Sequence, residues 1–274
     1  MSKKRVIAIF SGNRAEYGLQ FPILQAVKNH PDLEYKLIVS GAHLDKNFGS
    51  TISEIKNDGF EIYAEVEIEM AGDTRTSTSF AIASGINNLT PVLDKLNPDV
   101  FLVYADRFEG LAAVITSTQM NIPTAHVEGG DITEGGALDD SVRHAMSKLA
   151  HLHFPATEQS RNRLIKMGED PNFIFNVGCP AMDYLPNLDE ISILNNINLK
   201  GVGNKVNLNK EYILVVQHPV TTEYSKEVEN IKVLINSIDK IDKQVIWLWP
   251  NVDAGSDIIS KEIRTCRESG RLKN

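Results

Sequence analysis

The stretch Asp99-Val-Phe-Leu-Val-Tyr104-Ala-Asp-Arg-Phe108-Glu-Gly-Leu-Ala-Ala-Val-Ile-Thr-Ser-Thr-Gln119-Met-Asn-Ile-Pro-Thr-Ala-His-Val127 decides the fold. Its first apolar run is short and unbroken by polar positions, the signature of a strand buried on both faces. A helix-compatible segment over 108–119 follows, and then a second apolar run over 122–127. Strand, helix and strand joined this closely make a βαβ unit with parallel strands.

The same alternation extends in both directions. Strands are expected over 5–10, 35–40, 61–67, 99–104, 122–127, 151–154 and 174–177, and helices over 17–28, 48–58, 77–96, 108–119, 140–150 and 158–166. This order favours the α/β class with a parallel sheet covered on both faces. The pattern weakens after Tyr184, and the run from Leu188 to Lys210 contains six Asn and no stable apolar period. It reads as a loop-rich connection. Pattern resumes with strands over 212–217 and 244–249 and helices over 225–238 and 254–268. The expected organisation is a first domain over 1–185, a linker over 186–210 and a partial second domain over 211–274.

The chain has 274 residues, roughly 1.8 domains at ~150 residues each. Its net charge of -8 argues against binding nucleic acid through phosphate neutralisation. No apolar run approaches the ~20 residues of a membrane span. The amino terminus reads as a first strand and not as a signal peptide. Cys179 and Cys266 make neither a disulfide framework nor a zinc site. A cytoplasmic protein is expected.

Several polar groups fall at the carboxyl ends of the expected strands, where α/β sheets place working residues. In Ser11-Gly-Asn-Arg-Ala-Glu-Tyr-Gly18, Arg14 beside free helix N–H groups suits a phosphate; the competing reading is a turn with a solvated Arg. The run lacks the Gly-x-Gly-x-x-Gly spacing of a dinucleotide site. Asp106 and Arg107 leave the sheet together, and an Asp there serves either the site or an N-cap. The densest run is Thr124-Ala-His126-Val-Glu128-Gly-Gly-Asp131, followed by Asp139-Asp140-Ser-Val-Arg143-His144. Crowded carboxylates raise one another's pKa and supply an acid near neutrality. The alternative is a solvated acidic loop before an Asp-capped helix, but Glu128 comes straight off a buried strand and favours an active site. His151 and His153 face one side of a short strand without a third ligand, so no metal is expected. His218, in Gln217-His-Pro-Val-Thr-Thr222, can donate to a diphosphate, while Thr221-Thr222 equally suits a helix cap. Asn251, after Trp249-Pro250, suits either a base or ribose edge or a turn.

The run His126-Val-Glu-Gly-Gly130 followed by Asp139-Asp-Ser-Val-Arg-His144-Ala-Met-Ser-Lys-Leu-Ala-His151 closely resembles the hydrolysing UDP-N-acetylglucosamine 2-epimerases. These include the bacterial sialic-acid enzymes and the epimerase half of the animal bifunctional epimerase/kinase. The resemblance continues through Asn13-Arg-Ala-Glu-Tyr17, Gly41-Ala-His-Leu44, Asp106-Arg-Phe108, Gly178-Cys-Pro180, Gln217–Thr222 and Pro250–Ser256, with motif order kept. It implies a GT-B-like fold of two Rossmann-like domains and a UDP-sugar substrate, with no NAD and no obligatory metal. It implies release of N-acetylmannosamine and UDP, and association as a homo-dimer or homo-tetramer. Asp106, Glu128, Asp139 and Asp140 match the catalytic carboxylates; Arg14, Arg107 and His218 match positions near the diphosphate, and Asn251 a nucleotide contact. His43, His126, His151 and His153 match supporting histidines. Gly18 stands where relatives often carry Ser, and two C-terminal segments of the family, Gly-Asn-Ser-Ser and Gly-x-Arg-Gln, are not in this sequence. The chain is therefore expected to be a fragment or a shortened form with an incomplete second domain. Other readings are a UDP-N,N'-diacetylbacillosamine 2-epimerase, a non-hydrolysing 2-epimerase, a GT-B glycosyltransferase and a non-catalytic sugar-nucleotide-binding chain.

Overall fold

The computed structural model describes residues 3–44, 51–68, 75–133, 138–187, 189–219, 226–250 and 256–272. The chain divides into two compact units, Met1–Pro186 and Asn187–Asn274.

Unit 1 alternates β1 (Arg5–Ser11), α1 (Arg14–Asn29), β2 (Leu33–Ser40), α2 (Ile52–Asn57), β3 (Ile62–Val66), α3 (Arg75–Leu96), β4 (Val100–Tyr104), α4 (Phe108–Gln119), β5 (Thr124–Val127), α5 (Leu138–Leu149), β6 (Leu152–Phe154) and α6 (Glu158–Lys166). The strands form one parallel sheet in the order β3-β2-β1-β4-β5-β6. Strand order reverses between β1 and β4, and a switch point of this kind opens a crevice at the carboxyl ends.

The strands feed two cores. Ala8 and Phe10 of β1 join one while Ile9 joins the other, and Phe101 and Val103 of β4 part in the same way from Leu102 and Tyr104. Period-two alternation with apolar residues at both parities is why these segments read as unbroken apolar runs. Leu89 and Leu93 of α3, Ala113 and Val114 of α4 and Met146 of α5 close the first core. Leu24 and Val27 of α1 and Ile55 of α2 close the second.

At 174–177 the structure corrects the sequence reading. Ile174 alone bridges to His153, after a 3-10 turn over Pro171–Phe173. β6 is only three residues long, so it offers no ladder for a longer edge strand. The helix expected over 48–58 runs from Ile52 to Asn57, and residues 45–50 lie outside the described residues.

Unit 2 holds α7 (Glu190–Lys200), β7 (Tyr212–Val216), α8 (Glu227–Ile238), β8 (Gln244–Leu248) and α9 (Ser256–Glu268), with β7 parallel to β8. Ile231 and Ile235 of α8 pack with Ile259, Ile263 and Cys266 of α9. α7 stands in the stretch read as loop-rich. Its start is fixed by the Asp189 carboxylate, which accepts from the Ile191 N–H at 3.1 Å. Asn198 clamps Val206 in both directions, donating to its carbonyl at 3.0 Å and accepting from its N–H at 2.7 Å.

Candidate active site

β4 and β5 end in register, Tyr104 opposite Val127. The ladder continues one step, the Ala105 N–H donating to the Val127 carbonyl at 3.0 Å. Beyond it both chains turn through left-handed backbone, Ala105 at φ 56° and Glu128 at φ 59°. That conformation costs a residue with a Cβ roughly 1–2 kcal/mol, and such strain collects where a side chain must be aimed. His126 braces the first turn. It is fully buried, with Nε2 2.7 Å from the Ala105 carbonyl and Nδ1 3.0 Å from Ser147 Oγ. A carbonyl only accepts, so Nε2 carries the proton and Nδ1 accepts from the hydroxyl. Burial lowers this imidazole to about 4, which keeps it neutral at pH 7.

Asp106 follows that turn and pairs with the Arg143 guanidinium. Arg143 Nη1 also donates to Asp140 Oδ1 at 3.0 Å. Asp140 in turn accepts from the Thr133 N–H at 2.9 and 3.0 Å, tying the loop after β5 to α5. One partly buried guanidinium therefore holds two carboxylates from different elements, and its fixed donor geometry sets their spacing. Asp139 is exposed in the first turn of α5. The Glu128 carboxylate lies beside the Tyr104 hydroxyl and the Cys179 thiol, both pushed up by burial first and by that carboxylate second. The turn after Glu128 requires glycine. A Cβ on Gly129 would meet Ser147 Oγ at 2.7 Å, and one on Gly130, at φ +79°, the Ser160 carbonyl at 2.5 Å.

At the end of β1, Asn13 caps α1 by accepting from the Glu16 N–H at 3.0 Å. Arg14 is exposed and pairs with Glu54 at 3.2 Å. His43 is fully buried, with Nε2 2.9 Å from Ser11 Oγ and Nδ1 2.6 Å from Thr51 Oγ1, and burial lowers it to about 4. Arg107 precedes α4, with Nε 3.4 Å from Glu109 Oε2 and its guanidinium over the Phe108 ring at 5.6 Å. His151 Nδ1 accepts from the Thr124 N–H at 3.2 Å, and His153 Nε2 lies 3.2 Å from Glu169 Oε2.

The structure thus joins Asp106 to Asp140 through Arg143 and, by strand register, starts Glu128 from the neighbouring strand end, with His126 as a strut. His43, His151 and His153 bond to the loops and strands around them, and Arg14 is turned to Glu54. In unit 2, His218 is exposed past the end of β7. Asn251 lies outside the described residues, as do Thr221 and Thr222. The sequence reading gave no role to Arg143, Cys179, Glu16 or Glu109. Arg143 had a signal, since it sits three residues after Asp140 on one helix face. Among the described residues no His, Cys, Asp and Glu side chains gather as a metal site, and no helix is long and apolar enough to cross a membrane.

Residues 25–273 match the family described as UDP-N-acetylglucosamine 2-epimerase. The chain belongs to the UDP-N-acetylglucosamine 2-epimerase family. Among its 2-epimerase relatives is a UDP-N,N'-diacetylbacillosamine 2-epimerase (hydrolyzing) of Legionella pneumophila, 36% identical over 267 residues that make up 95% of this chain and 67% of the relative. A UDP-N-acetylglucosamine 2-epimerase of Neisseria meningitidis is 30% identical over 265 residues, 95% of this chain and 66% of that protein. This 2-epimerase family chain therefore spans about two thirds of the length of the curated relatives it matches. A solved Neisseria meningitidis UDP-GlcNAc 2-epimerase bound to UDP-GlcNAc has a TM-score of 0.78 at 19% identity, covering 95% of this chain and 70% of that one. The Methanocaldococcus jannaschii UDP-GlcNAc 2-epimerase in complex with UDP-GlcNAc and UDP has a TM-score of 0.75 at 19% identity, covering 98% and 72%. These likenesses establish the α/β fold with parallel sheets that the chain shares with the GT-B-like 2-epimerases.

Proposed function

We propose that the chain carries the proton-transfer residues of a hydrolysing 2-epimerase that converts UDP-N-acetylglucosamine to free N-acetylmannosamine and UDP. The observation that carries this reading is that Asp106 and Glu128 leave adjacent strand ends, β4 and β5, at two left-handed turns, with Asp106 joined through Arg143 to Asp140 of α5. The hydrogen on sugar carbon 2 has no carbonyl next to it, so its removal needs another source of acidity. Departure of UDP supplies one, because breaking the carbon 1–oxygen bond builds positive charge at carbon 1. A carboxylate then takes the carbon 2 proton, leaving a 2-acetamidoglucal and UDP. Water adds at carbon 1, and a proton returns to the opposite face of carbon 2.

Arg143 pairs with both Asp106 and Asp140, and carboxylates held in this spacing suit stabilising the cationic transition state. Glu128, beside a hydroxyl and a thiol, serves one face of carbon 2, and another carboxylate of its group, which includes Asp139, serves the opposite face. Arg14, Arg107 and His218 hold the diphosphate and Asn251 the nucleotide. The reading includes no metal or nicotinamide, a cytoplasmic address and a homo-dimer or homo-tetramer, whose mass light scattering measures.

A second substrate, UDP-N,N'-diacetylbacillosamine, is favoured by the 36% identity to the Legionella protein of that name. The test supplies both sugar nucleotides to the chain, alone and extended to the length of its relatives. Free N-acetylmannosamine with UDP supports the reading. A free sugar from the bacillosamine derivative alone reassigns the substrate, a UDP-linked epimer shows the non-hydrolysing reaction, and transfer to an acceptor shows a glycosyltransferase.

A further inference from the structure

A second pair of carboxylates is buried where β1 and β4 part. Glu16, in the first turn of α1, is 4% exposed and Glu109, in the first turn of α4, is 1% exposed. Gly12 lies between them, since a Cβ built there would stand 3.0 Å from Glu109 Cβ and 3.3 Å from Glu16 Oε2. Glu16 Oε2 accepts from the Gly12 N–H at 2.7 Å, while its other oxygen is buried with no hydrogen-bond partner among the described residues. Among the described residues the guanidinium at this place is that of Arg107, and its Nε lies 3.4 Å from Glu109 Oε2. Two ionised carboxylates buried around one guanidinium would leave an unbalanced negative charge, which a protein avoids by keeping one of them protonated.

We propose that Glu16 and Glu109 carry a single negative charge between them at neutral pH, with the proton on Glu16 and the charge on Glu109, and that this pair positions Arg107 for an anionic ligand. The role of Arg107 rests on the function proposed above; the charge state of the pair does not. Burial is the first cause raising Glu16, to about 8, and Glu109 the second; the Gly12 and Asn13 N–H groups and the Arg107 charge act in the opposite direction without cancelling them. The loop after β2 brings His43 to this turn, neutral and bonded to Ser11 and Thr51. Arg14, two residues before Glu16, is paired with Glu54 of α2. Among the described residues, neither the Arg14 guanidinium nor the His43 imidazole therefore neutralises Glu16. When Glu16 loses its proton, a second negative charge competes with Glu109 for Arg107 and repels a diphosphate.

The test titrates the chain, labelled with 13C at glutamate side-chain carboxyls, from pH 5 to 10 by NMR. One carboxyl resonance is expected to titrate near pH 8, to be missing in Glu16→Gln and to move to lower pH in Glu109→Gln. All carboxyls titrating below pH 6.5 would overturn the proposal, and Glu109→Gln decides the matter alone if Glu16→Gln does not fold. The positioning claim is read from UDP affinity between pH 7 and 9, each wild-type value divided by that of Glu16→Gln so that the ionisation of UDP itself cancels. A like charge arriving beside Arg107 should weaken UDP binding roughly tenfold in the wild type, and Glu16→Gln should remove that fall. A pH-independent ratio with a high-titrating Glu16 would refute the positioning role. UDP binding that Arg107→Ala leaves unchanged would instead refute the reading of Arg107 and leave the charge state to the NMR result.

Discussion

Acid destabilises unit 1 through two imidazoles that the fold keeps neutral. The unfolded chain titrates histidine at 6.5, whereas burial lowers both His126 and His43 to about 4. A base depressed in the fold takes up its proton first in the unfolded chain. Its stabilisation is therefore present above pH 6.5 and is lost as the pH falls toward 4. Between pH 7 and 5 each imidazole then removes about 2 kcal/mol, and the two together about 4. The Glu16 carboxyl works with the opposite sign. Held at about 8 in the fold, it gains stability as the pH falls from 8 toward 4.5, so the wild-type curve alone mixes the two effects. Subtraction isolates one. His126→Gln keeps an N–H donor for the Ala105 carbonyl but cannot be protonated, and it should lose about 2 kcal/mol less than the wild type between pH 7 and 5. Denaturant unfolding at both pH values checks this, followed by far-UV circular dichroism, to which the helices of both units contribute. Fluorescence separately reports unit 2, which holds Trp247 and Trp249. Identical pH dependence in the wild type and His126→Gln would refute the buried neutral histidine.

Arg143→Lys should keep a charge but lose the fork that spaces Asp106 and Asp140, costing about 2 kcal/mol and most of the turnover; thermal melts and initial rates check both. Gly130→Ala, whose added Cβ meets a backbone carbonyl at 2.5 Å, should cost about 1–3 kcal/mol, measured by denaturant midpoint. Ala105→Gly should relieve left-handed backbone and leave stability unchanged or raised by up to about 1 kcal/mol, while lowering turnover because Asp106 is less firmly aimed.

The fold was legible where physics is local. Unbroken apolar runs such as Val100–Tyr104 announce strands buried on both faces, and the carboxyl ends of β4 and β5 carry the polar groups that the run lengths pointed to. What stayed hidden depends on long-range geometry. Glu16 and Glu109 are 93 positions apart in the sequence, and only the strand order that brings β1 beside β4 turns two ordinary first-turn acids into a buried pair. Arg143 reads as a surface charge until Asp106 arrives from another strand. Unit 2 misled by composition, since Asn198 is a clamp and Asp189 a cap in a stretch whose Asn content suggests loop.

The central claim is that Glu128 and the Asp106–Arg143–Asp140 fork move the hydrogen on sugar carbon 2. Turnover of UDP-N-acetylglucosamine in heavy water tests it most directly, with wild type and Glu128→Gln compared in chain extended to the relatives' length. The expected result is free N-acetylmannosamine carrying deuterium at carbon 2 from the wild type, and no product from Glu128→Gln at an unchanged melting midpoint. Sugar released without deuterium at carbon 2, or labelled product formed at the wild-type rate by Glu128→Gln, would contradict it.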